Sequence, residues 1–366
     1  MKVSLLQQNI DTGLSITSRI VQPTNSLPIL GNILVLAKKG MIELQATNLE
    51  LSIRYSLPAK VEEDGNCSLP ARLFFDIVHS LNEDKIQLTS NNDNIILRTD
   101  GFEAEMNGLN ASEFPQIPEI TTKNTITLPL DVFITSVEEI LPAVSIDESR
   151  PILAGVLINI TKKELLLAGT DSYRLAQNKL TINSNEDISV IVPASTLSEV
   201  IRVASILSPD EVTIQLSETE IIFELGQAQI ISQLIEGQYP DYKKIIPESS
   251  STQVTLEKKE LIRAIKIASL FSRENAHSIE LVVDAKELVI NSKASDIGTN
   301  SSKIPAKVSG KPITINVNAR YLLDAANAIK KDTLQLSFTD KLEPCVVRPE
   351  GKYHSDYVHI IMPLRS

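Results

Sequence analysis

Apolar and polar residues alternate along much of this chain with a period of two, the signature of strands with one buried face. The stretch "VTIQLSETEIIF" (212–223) is the clearest case: two alternating runs flank the polar turn "SETE", which predicts a hairpin. Interspersed are segments with helical spacing, and three of them read alike: "LPARLFFDIVHSL" (69–81), "VPASTLSEVIRVASIL" (192–207) and "VNARYLLDAANAI" (317–329). Each predicted helix opens at Pro-Ala or Asn-Ala and is followed by a strand pair: "DKIQLTSNNDNIILRT", "DEVTIQLSETEIIFEL" and "DTLQLSFTDKLEPCVV".

The three helix openings at Pro70, Pro193 and Asn318 are offset by 123 and then 125 residues. Other segments return at nearly the same offset. "LPILGNILV" at 27 reappears as "RPILAGVLI" at 150, and "GMIELQATNLE" at 40 as "KELLLAGTDSY" at 163 and "KELVINSKASD" at 286. "EFPQIPE" at 113 is echoed by "QYPDYKKIIPE" at 238. A period this long is a whole domain, not a solenoid unit of about 20–50 residues. The pattern predicts three copies of one domain, at 1–122, 123–248 and 249–366. Strands with two helices per copy on one face of an antiparallel sheet make the expected class α+β. In the third copy Lys259, Arg263 and Lys266 fall at i, i+4 and i+7, so the helix is expected to bury its apolar stripe and present a basic face.

Composition narrows the function classes. The 366 residues are 42% hydrophobic and 22% charged, as in soluble globular proteins, and no apolar run approaches a membrane span. "MKVSLLQQNIDTG" falls short of a signal-peptide core, and Cys67 and Cys345 lack CxxC spacing, so a cytoplasmic location is expected. The net charge of -11 is uneven: 9 basic and 15 acidic residues give -6 over 1–122, 9 and 18 give -9 over 123–248, and 17 and 13 give +4 over 249–366. An acidic chain can therefore still carry a basic face. Candidate chemistry is sparse. "SGKP" at 309 lacks the spacing of a phosphate-binding loop, and His79, His277, His354 and His359 have no HxxxH spacing. Ser172 beside Asp171 lacks a GxSxG elbow. No catalytic residue, metal or cofactor is expected. An enzyme built on a triplicated domain and a three-domain structural or adhesive protein remain as alternatives.

"GTDSYRLA" (169–176), "VPASTL" (192–197), "YPDYKKIIP" (239–247) and the ending "VHIIMPLRS" (358–366) resemble the bacterial DNA polymerase III beta subunits, the replicative sliding clamps, and the resemblance spans the chain. It implies a head-to-tail homodimer whose six domains form a ring around duplex DNA, conferring processivity without catalysis. The implied partners are double-stranded DNA read without sequence preference, a second copy of the chain, the polymerase III alpha subunit, clamp-loader subunits and other proteins with clamp-binding peptides; no membrane is implied. The implied partner-peptide pocket comprises Leu153, Thr170, Asp171, Ser172, Tyr173, Arg174, Leu175, Pro240, Lys244 and Ile245, with Asn318, Tyr321, Ile360, Ile361, Met362, Pro363, Leu364 and Arg365. The implied DNA-facing residues are Thr24, Arg72, Arg150, Arg202, Lys259, Arg263 and Lys266. The dimer is expected to close through the strand around Glu103–Leu109, with Ala104 and Met106, against Leu270 and Phe271. Three positions depart from the family pattern. Ser172-Tyr173 stands where glycine-histidine is common, Lys244 where arginine is frequent, and Thr24 where some members have a DNA-contacting arginine. Proline at 363 removes a backbone donor, so pairing of the last strand is expected to stop there and leave Leu364 and Arg365 free.

Overall fold

A computed structural model describes the whole chain except residues 22–26, 92, 119–124, 148, 185–186, 274, 295–297 and 365–366. The two expected residues Thr24 and Arg365 lie outside the described residues. By its contacts the chain divides into two compact units, one of residues 1–131 and 195–234, the other of residues 132–194 and 235–366. The described residues form six α-helices: α1 (Gln7–Thr17), α2 (Ala71–Ser80), α3 (Leu130–Ile140), α4 (Ala194–Leu207), α5 (Lys258–Ser272) and α6 (Ala319–Ala328). The three Pro-Ala and Asn-Ala segments are thus α2, α4 and α6, and each predicted hairpin follows its helix.

In the first unit a five-stranded sheet runs in the order Lys60–Glu63, Lys2–Leu6, Lys85–Asn91, Asn94–Arg98, Glu103–Asn107. An eight-stranded sheet is made where Ala228–Gln233 pairs with Leu51–Pro58, Ala228 opposite Tyr55 and Ser232 opposite Leu51. Alternation along Leu51–Pro58 buries Leu51, Ile53, Tyr55 and Leu57, and α1 packs on that face. Gly13 makes the approach possible, since a Cβ there would lie 2.6 Å from a Tyr55 ring carbon.

The second unit repeats the device. Its nine-stranded sheet is joined where Arg174–Thr181 pairs with Asp356–Ile361, and its four-stranded sheet runs Gly298–Pro305, Glu287–Ala294, Ser278–Val283, Ile313–Asn318. Every strand pairing is antiparallel, as the period-two reading requires. Helix α5 packs on Glu287–Ala294, Gly298–Pro305 and α6, burying Leu261, Ala264, Ile265 and Ala268. Lys259, Arg263 and Lys266 are all exposed, so the expected basic face exists. Strand Gly298–Pro305 was not visible in the periodicity, because "GTNSSKIP" buries only Ile304.

Candidate functional site

The site builds outward from the turn 171–173, which joins strands Glu164–Thr170 and Arg174–Thr181. Asp171 organises it: Oδ1 accepts from the backbone amides of Tyr173 (2.9 Å) and Arg174 (3.0 Å), and Oδ2 accepts from Arg174 Nε at 2.9 Å. Thr170 Oγ1 donates to the Arg174 carbonyl at 2.6 Å and accepts from the Ser172 amide at 3.1 Å. Ser172 sits at φ 81°, a left-handed conformation that glycine adopts without steric cost and other residues adopt less readily. The turn leaves Tyr173 60% exposed.

Arg174 extends this turn to α6. Its Nη1 donates to Asp324 Oδ2, and its guanidinium carbon lies 4.4 Å from the Tyr321 ring centroid. The arginine is thus held by two carboxylates and stacked on an aromatic face, a planar arrangement that lysine could not reproduce. Tyr321 and Asp324 share one face of α6 through i, i+3 spacing. Asn318 caps the helix, its Oδ1 accepting from the Arg320 amide at 2.9 Å and its Nδ2 donating to the Ala276 carbonyl at 3.2 Å.

Beneath lies an apolar cluster of Leu166, Ala168, Leu175, Tyr242, Val346, Val358 and Ile360, with Leu157, Tyr239 and Ile246 packed against it. Tyr242 Oη donates to Gln177 Oε1 at 3.1 Å, and burial pushes its hydroxyl up to about 12; burial likewise raises Tyr239. Leu175, Ile360 and Ile361 are 2%, 0% and 0% exposed, which corrects their assignment as contact residues: they are core that backs the surface. Thr170 too is buried by the turn it braces. Of the expected pocket residues, Tyr173, Pro240, Lys244 and Ile245 are exposed, while Leu153, Asp171, Ser172, Arg174, Asn318, Tyr321, Met362, Pro363 and Leu364 are wholly or partly accessible. Lys244 pairs with Asp241 at 3.0 Å, three residues earlier on the same turn.

The tail corrects a second expectation. Met362 N donates to the Tyr173 carbonyl at 2.9 Å, and pairing then resumes beyond Pro363, Leu364 N donating to the Asn316 carbonyl at 2.8 Å. Leu364 is therefore held on the edge of Ile313–Asn318, where it borders a polar cavity of about 720 Å³ also lined by Asn275, Glu280, Asn291 and Asn316. Asp324, which anchors Arg174, was missed, as were Val346, Tyr239 and Tyr242 in the core that backs the surface. Asp324 had a signal in its helical spacing from Tyr321; Val346 had none, because only the sheet brings it beside Ile360.

Family models for the N-terminal, central and C-terminal domains of the DNA polymerase III beta subunit match residues 1–118, 127–241 and 243–365. The chain belongs to that family. A beta sliding clamp of Synechococcus elongatus is 30% identical over 376 residues, the match covering both chains completely. The beta subunit of Streptococcus pyogenes DNA polymerase superposes with a TM-score of 0.96 at 25% identity, covering 100% of each chain. The DNA polymerase sliding clamp of Bacillus subtilis superposes with a TM-score of 0.94 at 28% identity, covering 100% of this chain and 99% of that one. The three copies are therefore three beta-subunit domains.

The remaining expected residues of this beta-subunit chain divide by environment. Arg72, Lys259, Arg263 and Lys266 are exposed; Arg263 is paired with Glu260 and Arg150 with Asp147. Arg202 is corrected. Its Nε and Nη2 engage the Glu199 carboxylate, and Nη1 and Nη2 donate to the Ser15 (3.0 Å) and Ile16 (2.6 Å) carbonyls, so it ties α4 to the end of α1. Met106 is corrected too: it points inward and is 2% exposed, while its strand neighbours Glu103, Glu105 and Asn107 face outward and Ala104 is half-buried. Leu270 is 54% exposed near the end of α5, beside half-buried Phe271.

Proposed function

We propose that the chain is the sliding clamp of a replicative DNA polymerase: two copies close head to tail into a ring around duplex DNA and tether the polymerase without catalysing a reaction. Full-length kinship with beta sliding clamps supports this reading, with clamp domains at 1–122, 123–248 and 249–366. Exposed Lys259, Arg263 and Lys266 give phosphates a sequence-independent electrostatic partner. Strands Glu103–Asn107 and Gly298–Pro305 are each an unpaired edge of their sheet, and pairing one protomer's edge with its partner's other edge would satisfy both. Leu270 and Phe271 would pack beside that seam.

The polymerase alpha subunit, the clamp loader and other partners bind, in this proposal, through short peptides seated on the surface around Tyr173, Pro240, Ile245, Tyr321 and Met362. The single observation that carries it is the Arg174 assembly, where Asp171, Asp324 and Tyr321 join the 171–173 turn to α6 beside the Tyr173 carbonyl that takes the tail at Met362. Deleting Met362 to Ser366 removes the Tyr173 and Asn316 hydrogen bonds, and of the described residues it takes only the partly exposed Met362, Pro363 and Leu364. The truncated protein is expected to remain a folded dimer and to bind a fluorescent clamp-binding peptide at least tenfold more weakly. Unchanged affinity would refute the peptide site.

A further inference from the structure

The repeat that builds the surface around Arg174 also builds a counterpart in the first unit. At the later junction Gln177 lies opposite Val358 on the joining strand and accepts from Tyr242, which ties the strand to the "YPDYKK" segment. One period earlier Arg54 lies opposite Gln229 on the corresponding joining strand. Its Nη2 donates to the carbonyls of Ile117 (2.6 Å) and Pro118 (3.3 Å), in the equivalent "FPQIP" segment. Positions 54 and 177 differ by 123, the offset between the first two copies, and the "FPQIP" segment stands 125 residues before its counterpart, the second copy being two residues longer up to that point.

Beside Arg54 is a cavity of about 470 Å³, lined among others by Leu34, Gln45, Ser112, Phe114 and Pro115. The guanidinium uses only Nη2 in its bracing role. Its Nε is buried within the protein, out of reach of a ligand, while Nη1 makes no hydrogen bond among the described residues. An arginine that lines a cavity with its Nη1 donor unspent calls for an acceptor oxygen. Glu43, which accepts from Gln45 Nε2 beside it, disfavours a carboxylate there and favours a neutral carbonyl.

We propose that this cavity is a second, weaker peptide groove, taking a short extended segment with a backbone carbonyl toward Arg54 and an apolar side chain against Leu34, Phe114 and Pro115. The choice of a peptide rests on reading the Arg174 surface as a peptide site. The lower affinity follows from Gln45 and Arg54 standing one period before Ala168 and Gln177, which makes the lining more polar.

The test is an anisotropy titration of the full chain with a labelled heptapeptide carrying leucine and phenylalanine anchors. A tight and a weak phase are expected. Deleting Met362 to Ser366 should remove the tight phase and leave the weak one. In that truncated background Gln116→Trp, a change at an exposed rim position, should weaken the remaining phase at least tenfold without moving the thermal midpoint, and Arg54→Gln should weaken it similarly. Absence of residual binding after truncation, or residual binding indifferent to both substitutions, would overturn the groove. If truncation spares the tight phase and Gln116→Trp abolishes it, the groove stands and the Arg174 reading falls; if neither change matters, both fall.

Discussion

Glu139, near the end of α3, is fully buried, although "SVEEI" reads like a solvated helix surface. Its neighbour Glu138 behaves as that surface does, pairing with Lys330 at 2.9 Å. The Glu139 carboxylate instead accepts from Tyr353 Oη and Asn178 Nδ2, with His354 Nε2 at 3.6 Å, while Tyr357 Oη lies 3.2 Å from the Glu139 carbonyl and 3.0 Å from His359 Nδ1. Burial raises the Glu139 carboxyl from 4.5 to about 7, outweighing the two hydrogen bonds and Lys330, which favour the anion; burial lowers His359 to about 3. Because the folded state holds the Glu139 proton more tightly than the unfolded chain, this contribution is complete below about pH 4.5. It is lost as pH rises through about 7, amounting to about 3 kcal/mol. Glu139→Gln is therefore expected to flatten the fall in thermal midpoint between pH 5 and pH 8 relative to the unaltered protein. A parallel fall in both proteins would show that another group is responsible.

Helices α4 and α5 carry arginines that look interchangeable in the sequence and behave oppositely in the fold. Arg202 and Arg263 each sit three residues after a glutamate and pair with it. Arg263 remains 69% exposed, whereas Arg202 keeps 16% exposure and also caps two carbonyls of α1. Arg202→Ala should leave buried acceptors and Glu199 unpaired, costing about 1–3 kcal/mol, readable as a lower denaturation midpoint. Replacing Lys259, Arg263 and Lys266 together by alanine should leave that midpoint within about 0.5 kcal/mol per site. Under the clamp reading the triple variant should instead weaken DNA retention and reduce its salt dependence, by a slope of about 0.9 for each phosphate no longer neutralised. Retention with an unchanged salt slope would remove α5 from the DNA surface.

At the scale of the molecule, ring closure turns on which side of Glu103–Asn107 meets the partner. Met106 belongs to the core, so a charge there would unfold its sheet and say nothing specific about dimerisation. Leu270 is the cleaner probe, since its exposed side chain contributes little to the protomer's own core. Leu270→Glu is expected to yield folded monomers in sedimentation velocity at micromolar concentration. A variant that still sediments as the dimer would place the seam elsewhere.

Period-two alternation, the three Pro-Ala and Asn-Ala helix openings and their offsets of 123 and 125 residues were enough to specify a triplicated α+β domain, because each is a local consequence of burying one face of a strand or helix. The basic face of α5 was legible for the same reason. The "GTDSYRLA" turn was legible as a specialised copy through its Tyr173-Arg174 pair, which the first-copy equivalent "ATNLELSI" (46–53) lacks. The fate of each charge was not legible: Arg202, Glu139 and Asp324 find their partners on elements far away in sequence, and only packing brings those together. The tail was misread at Leu364 because the acceptor that continues its pairing, the Asn316 carbonyl, belongs to an edge strand identified only when the sheet is assembled. Local periodicity decides which face of an element is buried; the tertiary structure decides what that face is buried against, and so which polar groups are left free to bind.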